Sequence, residues 1–258
     1  MAGMDLRLER EGAVATLVLA RPERQNAISQ SMWRALATHC EALRDDLTVR
    51  VVVVRGEGGM FSAGADIAEF DQVFADRTTA RAYNELVQGA LAQLESLPQP
   101  TLAVIAGNCI GGGCAVAAAC DLRFAAADAR LGITPARLGL AYALGDVRRL
   151  VALTGRARAK DLLFSARLVD AAEAQRIGLV DRVVAPDDLA TEAAGYVRSL
   201  CALSGHSQRS IKAIMRLLEQ GQGEEDAASR DLRDRAVEHP DFGEGRSAFL
   251  AKRKPRFA

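Results

Sequence analysis

The sequence predicts a mixed α/β chain that ends in a helical region. Three observations carry this. Strand and helix signals alternate as far as Val184. Residues 51–55 (VVVVR) form an uninterrupted valine strand, the mark of a sheet covered on both faces. After Pro186 the strand signals stop, and helical segments are expected at 187–203, 207–220, 224–238 and 243–251. A boundary near Ala185 divides the chain into a core of residues 1–185 and a C-terminal helical region of residues 186–258. No repeat with a period of 20–50 residues stands out.

In chain order, residues 6–20 read as a β-hairpin with Glu11 and Gly12 at its turn. Residues 21–26 (RPERQN) form a loop. A helix follows, capped by Ser29 or Ser31, with Met32, Leu36 and Leu43 among its apolar positions. The small residues of 60–70 (MFSAGADIAEF) let backbone approach a ligand closely, and a helix spans about 78–97. Residues 121–126 form another strand, and the glycine-broken stretch 129–146 is irregular.

The stretch 101–120 (TLAVIAGNCIGGGCAVAAAC) organises the rest. Residues 101–106 read as a buried strand, 107–113 as a glycine turn and 114–120 as a buried Ala-rich helix. The first N–H groups of such a helix lack intrahelical acceptors and lie at the positive end of its dipole. They suit an anion, or an oxygen that becomes one during a reaction. The other reading is that the glycines serve only close strand–helix packing. A phosphate-cradling P-loop does not fit, because no Gly-Lys-Ser/Thr follows, and the spacing of Gly107, Gly111, Gly112 and Gly113 is not G-x-G-x-x-G.

Lys plus Arg and Asp plus Glu number 33 each, a balance that argues against nucleic acid or an anionic membrane surface as a partner. No apolar run reaches spanning length, and MAGMDLRLER does not read as a signal peptide. The five cysteines (Cys40, Cys109, Cys114, Cys120, Cys201) are scattered, as expected of reduced thiols in a cytoplasmic protein. His39, His206 and His239 form no metal spacing, and no metal site is expected.

Four stretches together resemble the crotonase superfamily, the enoyl-CoA hydratase/isomerase group: RPERQNAIS at 21–29, FSAGADI at 61–67, IGGGC at 110–114 and AKDLLFSARLVDAAEAQRIGLVDRVV at 159–184. The resemblance implies an α/β fold, a spiral of repeated ββα turns with a C-terminal helical region that trimerises, and trimers that often stack as hexamers. It implies acyl-coenzyme A thioesters as substrates, with coenzyme A part of the substrate and no separate cofactor. The family's two oxyanion-binding amides fall on Ala65 and Gly112. Coenzyme A contacts fall on Arg24, Ala63, Asp66 and Ile67, with Gly111 and Pro135 also among the substrate and coenzyme A contacts. The basic tail 251–257, with Lys252, matches the family's phosphate and adenine contact; its other reading is an ordinary solvated end.

The chain departs from the hydratases of that family. Their two glutamates fall on Ala115 and Pro135, neither of which transfers a proton. Thr134 and Tyr142, in ITPARLGLAY, resemble the methylmalonyl-CoA decarboxylase branch, where these two residue types lie at the reacting end of the substrate. That branch carries a histidine where this chain has Ala65. Decarboxylation of a malonyl-type thioester generates an enolate without a base at carbon, so it needs an oxyanion hole, an oriented carboxylate and a proton source. The alternatives are a hydratase or isomerase drawing on another carboxylate such as Asp66 or Glu69, and a non-catalytic acyl-CoA-binding protein. Asp146 is expected to cap a helix beginning near Val147, and Glu69 to lie at the pocket rim. Arg137 either faces solvent or meets a substrate carboxylate, and Tyr142 is either packed core or a substrate contact.

Overall fold

The computed structural model describes residues 5–257. The outermost residues of the two predicted regions, 1–4 and 258, lie outside the described residues, as does the start of the N-terminal segment read above.

The hairpin forms as expected, from β1 (Leu6–Glu11) and β2 (Val14–Leu19), around Gly12 at φ +56°. Helix α1 (Gln30–Arg44) is capped by Ser29, whose Oγ accepts from the Met32 amide; Ser31 instead bonds the Ser29 hydroxyl. The valine strand β3 (Val51–Gly56) is followed by a 3₁₀ turn at Ile67–Glu69, the single-turn helix α2 (Phe70–Val73) and the long helix α3 (Arg77–Glu95). Asp76 caps α3 in a reciprocal box with Thr79. Strand β4 (Thr101–Ile105) enters the glycine stretch.

There the structure corrects the sequence reading. Residues 107–113 are not one turn. Asn108–Ile110 form a short strand, β5, and helix α4 begins at Gly112 rather than Cys114, spanning Gly112–Ala119. The stretch 129–146 is not wholly irregular either. After β6 (Leu122–Ala126) it contains β7 (Arg130–Gly132) and a 3₁₀ turn at Pro135–Leu138. Helix α5 (Leu144–Ser165), which bends at Gly155, then leads to β8 (Leu168–Asp170), α6 (Ala171–Arg176) and β9 (Arg182–Val184). The C-terminal helices are α7 (Leu189–Cys201), α8 (Gly205–Glu219), α9 (Ala227–Asp234) and α10 (Pro240–Leu250), one for each expected segment.

Six strands form the main sheet in the order β1-β2-β3-β4-β6-β9, antiparallel in the hairpin and parallel elsewhere. A second sheet has the order β5-β7-β8. Side chains alternate across a strand, so successive residues of the main sheet serve different cores. Val52, Val54, Ala103 and Ile105 join the large core beneath α1, α3 and α4. Val51, Leu102, Phe124 and Ala126 pack instead with Leu189, Ala193 and Val197 of α7. The valine run thus lies in a sheet covered on both faces. This α/β architecture with its C-terminal helices matches the mixed α/β chain ending in a helical region that the sequence predicts.

Helix α8 leaves part of its apolar stripe uncovered and buries a lysine instead. Ile211 and Leu218 are exposed, with Ile214 and Leu217 half-buried, whereas Lys212 is buried. Its Nζ donates to the Gln99 carbonyl at 3.0 Å and to Asp121 Oδ2 at 2.6 Å. The same Asp121 oxygen accepts from the Thr101 amide at 2.7 Å, so the lysine ties α8 to the start of β4. Replacing Lys212 by Met keeps most of the apolar stem but leaves Asp121 without its cation. The expected cost is about 1.5–3 kcal/mol, the usual worth of a charged hydrogen bond. It is read as a lower urea midpoint at unchanged denaturant slope.

Candidate active site

The loop at 21–29 is built around Asn26, which is fully buried at φ +54°. Its Nδ2 donates to the Glu57 and Met60 carbonyls, and its Oδ1 accepts from the Arg21 amide. Its own carbonyl accepts from Ser62 Oγ. Those bonds dock the loop against the 61–67 segment. The Ala63 amide donates to the Gln25 carbonyl, the Ile28 amide to Gly64, and the Asp66 amide to Ile28. The last two make a parallel bridge between Ile28 and Ala65. In such a bridge the partner of Ile28 is gripped through the residues on either side of it, so the Ala65 N–H points to the opposite side.

On that side lies the start of α4. A Cβ placed on Gly112 would stand 3.3 Å from the Ala65 nitrogen, and one on Gly64 would stand 3.5 Å from the Gly112 nitrogen. The two amides therefore border one space. Among the described residues neither donates to a loop, turn or side-chain acceptor. Gly111, at φ +50°, swings the chain from β5 into α4, and its amide is tied to the Gly132 carbonyl. Gly113 is pressed against Ser62, where a Cβ would come within 2.8 Å. The glycines thus serve both readings of the sequence: they allow close packing, and the packing sets two free N–H donors side by side at a helix N-terminus.

Around this pair, Thr134 Oγ1 lies 3.8 Å from where a Gly111 Cβ would be, and Pro135 opens the adjoining 3₁₀ turn. Tyr142 is partly buried against the core, and its hydroxyl donates to the Gly111 carbonyl at 3.0 Å. Burial pushes this phenol well above its ordinary pKa, so it stays a neutral donor. Tyr142 is packed on the core with its hydroxyl satisfied, the first of its two sequence readings, and its proton holds the peptide group that carries the Gly112 N–H. Ala115 is buried one turn beyond Gly112 on the same face of α4. It borders a cavity of about 10 Å³ with Cys114, Ala118, Ile133, Tyr142, Asp146, Arg149, Leu150 and Leu179. A broader cleft of about 410 Å³, with Arg44, Arg148 and Arg216 on its walls, contains neither amide.

The other candidates are placed as follows. Arg24 and Ile67 are exposed, Ala63 is half-buried, and Lys252 is exposed at φ +51° near the C-terminus. Asp66 caps the 3₁₀ turn through the Ala68 amide and pairs with Arg21 at 2.9 Å. Burial raises its carboxyl, but the Arg21 and Ala68 bonds and the charges of Arg21 and Arg24 outweigh that and leave it below the usual value. Glu69 accepts from the Gln30 amide at 2.7 Å, and Arg137 is exposed. Asp146 is not a cap. Helix α5 begins at Leu144, its N-cap is Ala143, and Asp146 is buried within the first turn. Its carboxylate accepts from Gln88 Nε2 at 2.8 Å and from Arg149 Nη1 at 3.3 Å. Sequence reasoning missed Gln88, Arg149 and Trp33, whose ring lies 3.3 Å from a Cβ on Gly112. The one readable signal was an acid and a base three residues apart at a helix start.

The enoyl-CoA hydratase/isomerase family model matches residues 9–258, and the chain belongs to that family, within the crotonase superfamily. A probable enoyl-CoA hydratase of Mycobacterium tuberculosis, echA8, is 36% identical over 252 residues, covering 97% of this chain and 96% of the relative. A crotonyl-CoA hydratase of Syntrophomonas wolfei is 33% identical over 267 residues, covering 100% and 99%. The crystal structure of an enoyl-CoA hydratase/isomerase family protein from Hyphomonas neptunium superimposes with a TM-score of 0.95 at 37% identity, covering 98% of this chain and 97% of that one. The chain is a crotonase-type acyl-CoA enzyme. Among the described residues no helix is long and apolar enough to cross a membrane.

Gly64 sits at φ +106°, and a Cβ there would stand 3.0 Å from the Ile110 carbonyl. Gly64→Ala is expected to cost about 1–3 kcal/mol in strain. It should also displace the Ala65 amide, so kcat/KM on any thioester the enzyme turns over should fall together with the melting temperature.

Proposed function

We propose that the chain transforms an acyl-CoA thioester through an enolate whose oxygen is held by the amides of Ala65 and Gly112, and that its reaction is decarboxylase-like, on a malonyl-type thioester. The observation that carries the first part is the adjacency of those two amides, each without a loop or side-chain acceptor, at the N-terminus of a buried helix. Two donors aimed where charge develops stabilise the transition state more than the ground state. The second part rests on what stands beside them. Ala115 and Pro135 can neither activate a water nor protonate a carbon. Loss of carbon dioxide sends its electron pair straight into the thioester carbonyl, so the oxyanion hole does most of the chemistry. Thr134 and Tyr142 border the acyl end. Arg24, Ala63, Asp66, Ile67 and Lys252 are the coenzyme A contacts in this reading, with Gly111 and Pro135 lining the acyl group. The working unit is a trimer or a hexamer of cytoplasmic chains. The exposed Ile211, Met215 and Leu218 on α8 favour burial between subunits.

The names of the relatives favour a second reading, hydration of an enoyl-CoA with a different acid or base. Purified protein offered methylmalonyl-CoA and crotonyl-CoA separates the two. Release of carbon dioxide from the first, with little hydration of the second, is expected; rapid hydration of crotonyl-CoA would exclude the decarboxylase reading.

The donor role of Gly112 is tested by a matched pair. Gly112→Ala adds a Cβ 3.3 Å from both the Ala65 nitrogen and Trp33 but keeps the N–H. Gly112→Pro adds a similar Cβ and removes the N–H, at a first helical position that tolerates proline. The proline variant should be roughly 100- to 1,000-fold slower than the alanine variant, the usual loss for one oxyanion donor. Equal rates would exclude the amide. Ala115→Glu alone should not create hydration, because Pro135 still lacks the second carboxylate; rapid crotonyl-CoA turnover by that variant would disprove this.

A further inference from the structure

The enolate reading leaves one question of chemistry open, namely which group carries the proton to and from the carbon beside the thioester. Neither hydratase position supplies one. Asp146 is a buried acid on the cavity that Ala115 borders, and three observations converge on it.

The first is position. Gly112 and Ala115 lie one turn apart on the same face of α4, so a group held at the Gly112 amide sits within one turn of Ala115. Ala115 and Asp146 face the same cavity. Its volume, about 10 Å³, is the smallest that accepts one water, and it is too small for an acyl chain. The second is unused bonding capacity. Arg149 is buried on the same wall, and its Nε has no hydrogen-bond partner. A water there would have that Nε–H, the Asp146 carboxylate and the Tyr142 oxygen as polar neighbours.

The third is incomplete charge compensation. Arg149 gives its closer bond, at 2.8 Å, to Glu95, and only a 3.3 Å bond to Asp146. Glu95 is shared in turn with Arg148 at 2.6 Å. The remaining partner of Asp146, Gln88, is neutral. A buried carboxylate with half a cation is costly to keep ionised. Burial accordingly raises the Asp146 carboxyl above its ordinary value, against the Gln88 and Arg149 bonds that lower it and with the charge of Glu95 adding to the rise.

We infer that Asp146 is the proton carrier of this site, exchanging a proton with the α-carbon of the bound thioester through a single water in the cavity beside Ala115. This rests on the enolate reading. In the decarboxylating direction the bond to carbon dioxide breaks and its electron pair enters the enolate. The water then protonates the α-carbon and is reprotonated by the Asp146 carboxylic acid, which solvent recharges. In the reverse sense, on a saturated thioester, the Asp146 carboxylate draws off an α-proton through the same water and the pair enters the same enolate.

The test uses full-length protein with propionyl-CoA in D₂O, following loss of the α-proton NMR signal. Wild type is expected to exchange. Asp146→Asn should be slower by about 100-fold or more, the usual share of a positioned acid or base; Asp146→Glu should recover part of the rate. Glu95→Gln separates proton transfer from scaffolding, because it disrupts the ionic network but leaves Asp146 in place. Its exchange rate should stay within a few-fold of wild type. Its pH profile should move, since exchange needs ionised Asp146 and rises with pH through that group. Removing the Glu95 charge lowers the Asp146 pKa, so the rising limb shifts to lower pH. The groups that face Asp146 are Glu95 on α3, Cys114 on α4, Tyr142 in the preceding loop and Arg149 on α5, with Arg148 acting through Glu95. Folded Asp146→Asn protein exchanging within threefold of wild type would overturn the inference. So would Glu95→Gln losing as much as Asp146→Asn, or keeping an unshifted limb. Wild type that binds propionyl-CoA by calorimetry yet does not exchange would overturn the enolate reading itself, and this inference with it.

Discussion

Everything at the site depends on one close approach of backbone to backbone, between the 62–65 segment and the start of α4. It is possible because Gly64, Gly112 and Gly113 carry no Cβ where one would meet Ile110, Ala65 and Ser62. Two peptide N–H groups then end beside each other, half-buried and without acceptors from the surrounding loops, where a ligand oxygen can complete them. The bonds behind the amides make the arrangement rigid. Ile28 grips Gly64 and Asp66, Gly132 holds the Gly111 amide, and Tyr142 holds the Gly111 carbonyl. None of these partners carries a charge, so the donors are held by neutral hydrogen bonds alone.

The charged groups are arranged one layer out, and they divide into two kinds. Asp66 is fully engaged, with Arg21 on one oxygen and the Ala68 amide on the other, and it serves the loop. Asp146 shares its cation with Glu95 and faces a void. The difference between the two carboxylates is one of environment, not residue type, and environment is what assigns acids to structural or chemical roles.

That difference also marks the limit of what the sequence discloses. The free N–H groups at the start of α4 were legible because their determinants are local: glycines at fixed offsets, a strand before them and small apolar residues after; Ala65 entered only through the family resemblance. The two-faced main sheet was legible in the valine run, and each C-terminal helix in its own stretch of sequence. Strand β5 was hidden because three residues have no intrinsic signal; it exists only through its pairing with β7. Asp146 looked like a cap because its burial comes from Gln88 and Arg149, one of them on a different helix. Nothing near Lys212 in the chain foretells its burial; only the position of Asp121 shows why it is inside. In each case the missing information was a contact between segments distant in the chain.

The same long-range pairing has a kinetic consequence. Ala65 is set by Ile28, Ser62 by Cys109 and β5 by β7, so the amide pair exists only after several large loops have closed. Loop closure of this kind is entropically uphill until all of its partners are present. The nascent chain can therefore hold its hairpin and many of its helices while still inert. Competence to engage a thioester requires those closures to be complete, not only the local elements.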